Sequence, residues 1–367
     1  MIRLSRGLAE LVPVQVGPLR FEKEPGLPDL VGCPLLDHAQ KPNLMNDLIS
    51  ICVTTRHRPE LLRQALESLT RQQYRPLEII VGDNSENDES TRVVDDLVLP
   101  ESVALIYHRH QPAGDLWTNT EWVFKQAQGD RIVLMHDDDM LCDGGLDILV
   151  AAWDAHPGVA AVYGKSYQIT HAGDHDVLET DRVNEIQERM VEHAGTQYSS
   201  LKAALTQQFP RNGYLADAAL LKRVGWRPYR FAGVWTDVDC GIRLATASAP
   251  RQFVYVDEFV SKIRLTETRV SNTRTFDCGA LQFLDQVKLL DVPSECMKAW
   301  ERLVRTLTEM AVVEAARAGQ RSRALRLMRS EYYDRAWFHP ATLYRLLCVV
   351  SPATARTCNR VFRGLAD

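Results

Sequence analysis

The chain has 367 residues, 45% of them hydrophobic and 25% charged, with a formal net charge of −5. That length holds one large domain with additions, or two domains, in the composition range of soluble globular proteins. The negative balance argues against a nucleic-acid partner, and no run approaches the roughly 20 apolar residues of a membrane span. Eight scattered cysteines form no C-x-x-C pair and show no zinc spacing, so reduced thiols and a cytoplasmic location are expected. No apolar segment follows Arg3 and Arg6, so no signal peptide is expected.

Residues 1–47 carry Pro13, Pro18, Pro25, Pro28, Pro34 and Pro42, a spacing that forbids a long helix. An extended N-terminal arm is expected, with a short strand around Leu11–Val16. Leu48–Thr54 reads as a buried strand. Pro59 then suits a first helical position, and Leu61, Leu62, Ala65, Leu66 and Leu69 follow at helical spacing. Strands are expected at Leu77–Val81, Val103–Tyr107 and Arg131–Met135, with helices near Ser90–Leu97 and Asn119–Ala127 between them. This alternation means βαβ units and a parallel sheet.

Further on, Gly145–Ala155 reads as a helix and Val159–Tyr163 as a strand. Residues 171–197 are polar and acidic, and read as a loop or helical excursion beside the site. A helix near Ser199–Thr206, a strand passing into a helix over Ala216–Val224, and a strand at Phe253–Ile263 follow. From Asp277 to Ala318 the pattern is helical, with shorter helices at Ser322–Ser330, Ala341–Val350 and Ala353–Phe362. From Arg317 on, ten Arg face three acidic residues. A basic helical end of this kind suits an anionic membrane surface, an ordinary helical cap or a dimer contact.

Carboxylates recur where such a sheet exposes its strand ends. The first strand runs out as Thr54-Thr55-Arg56-His57-Arg58-Pro59 and the second as Gly82-Asp83-Asn84-Ser85. The fourth ends His136-Asp137-Asp138-Asp139, and Trp235-Thr236-Asp237-Val238-Asp239 comes much later. Open α/β sheets hold ligands at these ends. Three adjacent carboxylates repel one another. They are tolerated in solvent, or around a hard cation such as Mg²⁺ or Mn²⁺ whose shell phosphates complete.

In order and spacing, over roughly residues 48–265, these stretches resemble glycosyltransferase family 2, the nucleotide-sugar-dependent transferases of GT-A fold. The resemblance implies a Rossmann-like, mostly parallel twisted α/β sheet flanked by helices. On that pattern residues 1–47 are an extension, 48–270 the catalytic domain and 271–367 a helical C-terminal region. Within the catalytic domain, 48–140 would be the nucleotide-binding half and 141–270 the acceptor half.

The implied function is inverting, metal-dependent transfer of a sugar from a UDP-, GDP- or dTDP-linked donor to a hydroxyl of a glycan, lipid-linked or small-molecule acceptor. By resemblance Asp83 accepts from the base, while Thr54, Thr55 and Arg56 line base and ribose. Arg56 or Arg58 reaches phosphate, and Asn119 has a structural or ribose-side place. Asp137 takes the ribose hydroxyls, with Asp138 beside it. Asp139 holds Mg²⁺ or Mn²⁺, with Asp137 as the other ligand if Asp137-x-Asp139 is the D-x-D. Aligning on Met140-Leu141 instead puts Asp138 and Asp139 on the acidic pair, with His136 in the first position.

Asp237 matches the family's general base, Trp235 falls on the acceptor side, and Asp239 orients its neighbours or accepts from an acceptor hydroxyl. Trp226 and Trp117 can offer a sugar an apolar face or belong to the core. One departure concerns a histidine that many members carry near the diphosphate. Ser261–Ser271 has none, leaving Arg264, Glu267 or Arg269 as substitutes. Two rivals are a sugar-nucleotide nucleotidyltransferase and a catalytically silent binding homologue. The loop after the first strand has no glycine to cradle phosphate, which argues against the former, and Asp139 with Asp237 argues against the latter.

Overall fold

The computed structural model describes residues 48–197, 199–249, 252–265, 279–333 and 340–351. The expected arm over 1–47, the helix at Ala353–Phe362, and Glu267 and Arg269 lie outside the described residues. The strands are β1 (Ile49–Thr55), β2 (Leu77–Asp83), β3 (Val103–Arg109), β4 (Arg131–His136) and β5 (Met140–Leu141). They continue as β6 (Ala161–Ile169), β7 (Gly195–Thr196), β8 (Leu215–Asp217) and β9 (Phe253–Arg264). They form one sheet in the order β3-β2-β1-β4-β8-β6-β9-β5, with β7 also on β9.

β3, β2, β1 and β4 run parallel, in a register that sets Thr54 level with both Gly82 and His136. The chain moves outward from β1 to β2 and β3, then returns to the other side of β1 as β4. That reversal opens a crevice at the C-terminal ends of β1 and β4, where doubly wound sheets bind ligands.

Why the sheet forms is plain in β1. Ile49, Ile51 and Val53 face Leu62, Leu66 and Leu69 of the helix Pro59–Thr70, whereas Cys52 faces the opposite layer with Val123 and Phe124. Both faces are covered, so the strand is apolar throughout. A buried carboxylate locks the near edge: Glu78 accepts from Ser50 Oγ, and from the Gln128 and Gly129 amides at 2.5 and 3.1 Å. Gly129 packs so tightly that a Cβ there would lie 2.5 Å from the Leu48 carbonyl.

The second half of the sheet is mixed. β8 is antiparallel to β4 and β6, and β5 and β7 are antiparallel to β9, in contacts of two or three residues each. The strand expected at Val159–Tyr163 runs on to Ile169, because β9 accompanies it in parallel as far as Arg264. Residues 171–197 contain the helix Val177–Ile186, capped by the Asp176 carboxylate. The helical stretch expected from Asp277 to Ala318 is two helices, Ala280–Val287 and Met297–Arg317, parted before Pro293. With Arg321–Arg329 and Pro340–Val350 they make a helical C-terminal layer, joined by Arg345 to Glu309 at 2.6 Å and by Trp300 Nε1 to the Val287 carbonyl at 2.8 Å.

Candidate active site

At the crevice a cleft of about 900 Å³ is bordered by Thr54, Thr55, Arg56, the Asp triplet and Asp237. The strand register delivers its floor. Thr55 Oγ1 donates to Asp137 Oδ2 at 2.8 Å, and Arg58 Nη1 donates to Asp137 Oδ1 at 3.2 Å and Asp138 Oδ2 at 3.0 Å. Asp139 is turned the other way. Its Oδ1 accepts the Arg264 amide at 2.8 Å, and its Oδ2 accepts Asn212 Nδ2 at 2.6 Å. Arg58 thus bridges Asp137 and Asp138, while Arg264 and Asn212 hold Asp139 apart from them.

His136 sits at the centre. Its Nδ1 lies 3.7 Å from Asp139 Oδ2 and its Nε2 lies 3.5 Å from Asp237 Oδ1. Burial alone would push the imidazolium down, but Asp237, then Asp139 and Asp138, outweigh it and raise the His136 pKa to about 9. Burial, with Asp138 adding to it, lifts Asp137 to about 6 against the pull of Arg58 and Thr55. The same two causes lift Asp139 to about 6 against His136, the Arg264 amide and Asn212.

Crowded, desolvated carboxylates with elevated pKa values form a site that a cation relieves. One donor atom each from His136, Asp138 and Asp139 lies within 4.8 Å of the others. The buried amide oxygen of Asn212, without a partner among the described residues, adds an orphaned acceptor beside them. A hard divalent ion therefore fits this donor set. Asp137 is not in the group, because Thr55, Arg56 and Arg58 engage its carboxylate. The grouped residues are those that the register through Met140-Leu141 names.

Several of the candidate residues are engaged with the protein. Asp83 is fully buried, with Oδ1 accepting from the Ser85 amide at 2.8 Å and Oδ2 from Tyr107 at 2.8 Å; its neighbour Asn84 borders the cleft. Asn119 also borders it, but its amide joins β2 to the helix Leu116–Gln126 by donating to the Gly82 carbonyl at 2.9 Å. Asp239 is buried behind the wall, accepting from Arg243 Nε at 2.7 Å and Arg227 Nη1 at 3.4 Å. Trp235 stacks on Phe283, with ring centroids 5.8 Å apart. Trp117 and Trp226 are the tryptophans that border the cleft. Arg264 is no substitute ligand: its guanidinium donates to the Asp138 and His171 carbonyls and to Gln64 Oε1.

Nothing in the sequence pattern singles out Asn212, Arg189 or Arg211, which line the cleft from the turn before β8 and the segment after Val177–Ile186. The acidic residues 171–197 gave only the hint that a wall element stood there, and Glu179, Arg182 and Val183 do line it.

This architecture, a parallel nucleotide-type half joined to a mixed half across an acidic strand end, is the GT-A fold. Residues 50–208 match the model of Glycosyl transferase family 2 and constitute a domain of that family. The chain is 31% identical over 120 residues to GalNAc(5)-diNAcBac-PP-undecaprenol beta-1,3-glucosyltransferase of Campylobacter jejuni. That alignment covers 32% of this chain, which spans only 37% of the relative's length. Among solved structures, S. aureus TarS 1-349 in complex with UDP-GlcNAc is similar, with a TM-score of 0.53, 13% identity, and 77% of this chain and 89% of that one covered. The mannosyltransferase PcManGT from Pyrobaculum calidifontis, in complex with GDP-Man and Mn²⁺, gives 0.50 and 14%, covering 84% and 87%. At these identities the likeness speaks for the fold.

Proposed function

We propose that the chain is an inverting glycosyltransferase that moves a sugar from a nucleotide-diphosphate donor to an acceptor hydroxyl. The observation that carries this reading is the approach of Asp237 to the acidic strand end through one imidazole, 3.5 Å on one side and 3.7 Å on the other. Deprotonation of the acceptor and departure of the diphosphate then fall within one residue's span, as a single displacement requires. The acceptor oxygen bonds to the anomeric carbon as the carbon–diphosphate bond breaks. The hydroxyl proton passes to the Asp237 carboxylate, and the electron pair of the broken bond leaves with the diphosphate. One displacement through an oxocarbenium-like state inverts the anomeric centre.

Thr54, Thr55 and Arg56 border the nucleotide end. Asp137, oriented by Thr55 and Arg58, is placed to accept from ribose hydroxyls. Asp83 acts there through Ser85 and Tyr107, with Asn84 bordering the cleft. His136, Asp138 and Asp139 would hold Mg²⁺ or Mn²⁺, which when bound neutralises charge on the leaving diphosphate. The name of the Campylobacter relative points to a lipid-linked glycan acceptor. An anionic inner-leaflet surface is the matching partner for the helix Arg321–Arg329, which exposes Leu325 between its arginines. No helix among the described residues is long and apolar enough to cross a membrane.

The test is a thermal-shift panel of UDP-, GDP- and dTDP-sugars with Mn²⁺, followed by transfer assays with the donor it selects. One nucleotide class should stabilise the protein, and the protein should hydrolyse or transfer its sugar. A panel with no stabilising member would remove the reading.

A further inference from the structure

We propose that Arg189 and Arg211 form a subsite beside Asp237 for an oxyanion carried by the acceptor. The proposal rests on Asp237 being the base that meets the acceptor hydroxyl. Arg189 is only 3% exposed, yet among the described residues no carboxylate lies within ion-pair distance of it. Its Nε donates to the Gln208 carbonyl at 2.8 Å, Nη1 to Ser166 Oγ at 3.3 Å and Nη2 to the Gln207 carbonyl at 3.1 Å. A guanidinium has five N–H groups, so two of them have no partner among the described residues. Burial, opposed by Tyr163 and Tyr255 and reinforced by Arg211, lowers its pKa to about 10, so the charge persists at neutral pH.

Arg211, two residues beyond Phe209, is exposed and makes no hydrogen bond or ion pair among the described residues. Four other arginines of the same cleft are paired with carboxylates: Arg56 with Glu86, Arg58 with Asp137 and Asp138, Arg182 with Glu179 and Arg227 with Asp239. A buried cation without an anion is costly, and a second like charge beside it adds to the cost. The chain builds the arrangement deliberately. Gln207 takes a left-handed φ of 59°, and the carbonyls of Gln207 and Gln208 turn onto Arg189 and hold it.

Position identifies the anion. Arg189, Arg211, Gln187, Gln207, Pro210 and Asp237 border the main cleft and also wall a recess of only about 10 Å³, whose own lining includes none of Thr54, Thr55 or the Asp triplet. An anion bound there lies beside Asp237, which on the reading above meets the acceptor hydroxyl. Arg302, which donates to the Ile186 carbonyl at 3.3 Å, adds positive charge next to Gln187. Guanidinium forks pair equally well with a uronate carboxylate and with a phosphoryl group. The ligand class is therefore an acidic or phosphorylated sugar at the acceptor terminus.

The experiment titrates glucose, glucuronate and glucose 1-phosphate into the protein saturated with Mg²⁺ and the nucleoside diphosphate that binds it. The charged probes should bind at least about tenfold more tightly than glucose. Arg211→Gln, at an exposed position that leaves the fold intact, should erase that preference, and Arg211→Lys should keep part of it. Nucleotide affinity should stay unchanged in both variants. The ratio of glucuronate to glucose 1-phosphate tells carboxylate from phosphate. Equal binding of glucose, a preference that survives Arg211→Gln, or displacement of the charged probes by nucleotide would each overturn the subsite. Failure of every nucleotide to bind would instead strike the transferase reading, and the charge preference would still be measured without it.

Discussion

His136 Nε2 stands 3.5 Å from Asp237 Oδ1, so β4 and the first turn of the helix Thr236–Ser248 meet through one side-chain contact. Asp237 is therefore held, and its loss should affect chemistry more than binding. Asp237→Asn should lower kcat by about 10²–10⁴, while the nucleotide Kd stays within about twofold. Single-turnover transfer together with calorimetric nucleotide titration separates the two. Equal loss of both would show that Asp237 serves the donor.

Metal and pH should be linked. Asp137 and Asp139 sit near 6, above the ordinary aspartate range, and His136 near 9, above the ordinary imidazole. Each raised pKa means that the folded state holds protons which the unfolded chain releases. The stability these groups give is complete below about pH 4 and falls as pH rises, through 6 for the carboxyls and 9 for His136. Metal-free protein should thus lose this contribution from acid to alkaline pH. Mn²⁺ competes with those protons, so its increase in Tm should be larger at pH 8 than at pH 5.5. Asp139→Asn should remove most of that increase. A gain independent of pH would contradict the assignment.

Gly82 offers a packing test. A Cβ there would lie 2.0 Å from Asn119 Oδ1, in the side chain that joins β2 to the next helix. Gly82→Ala should cost about 1–3 kcal/mol by urea unfolding. Asn119→Ala, which removes the buried side-chain hydrogen bond to the Gly82 carbonyl, should cost about 1–3 kcal/mol by the same measurement. A neutral result for both would mean that this joint contributes nothing to stability.

Arg264 tests the supports of the triplet. It is 1% exposed and donates to Asp138, His171 and Gln64 in three directions. An ammonium cannot reproduce that fork. Arg264→Lys should destabilise by about 2–3 kcal/mol and weaken Mn²⁺ binding, as read by urea unfolding and by metal titration. Wild-type metal affinity in that variant would show that the triplet holds its own geometry.

Much of the donor half was legible from periodicity. The strands at β1, β2 and β4 were bounded by Pro, Gly and Asp, and those boundaries are local. Strand direction is not local. The apolar run at Leu215–Asp217 reads the same whether it runs parallel or antiparallel, and only its place between β4 and β6 decides. The surroundings of the candidate site residues have the same origin. Asp83 and Trp235 occupy positions that look functional, but what each side chain meets depends on residues far away in sequence, whereas Asp239 is paired by Arg243 only four positions on. Tyr107 lies 24 positions from Asp83, and Phe283 lies 48 from Trp235. Conversely, Asn212 carries no motif and is recognisable only by its contact with Asp139, 73 positions earlier.

The grip of Arg264 and Asn212 on the triplet has a consequence for how this polypeptide can be divided. A fragment ending at Leu141 would contain the triplet and the loops of β1 and β2, yet lack both residues that aim Asp139. It would be a nucleotide pocket with its acidic end unanchored, its carboxylates free to relax outward into water. Recombination across that point between distant homologues should therefore produce inactive chimaeras even when both parents are active, unless Asn212 and Arg264 travel with the aspartates they hold.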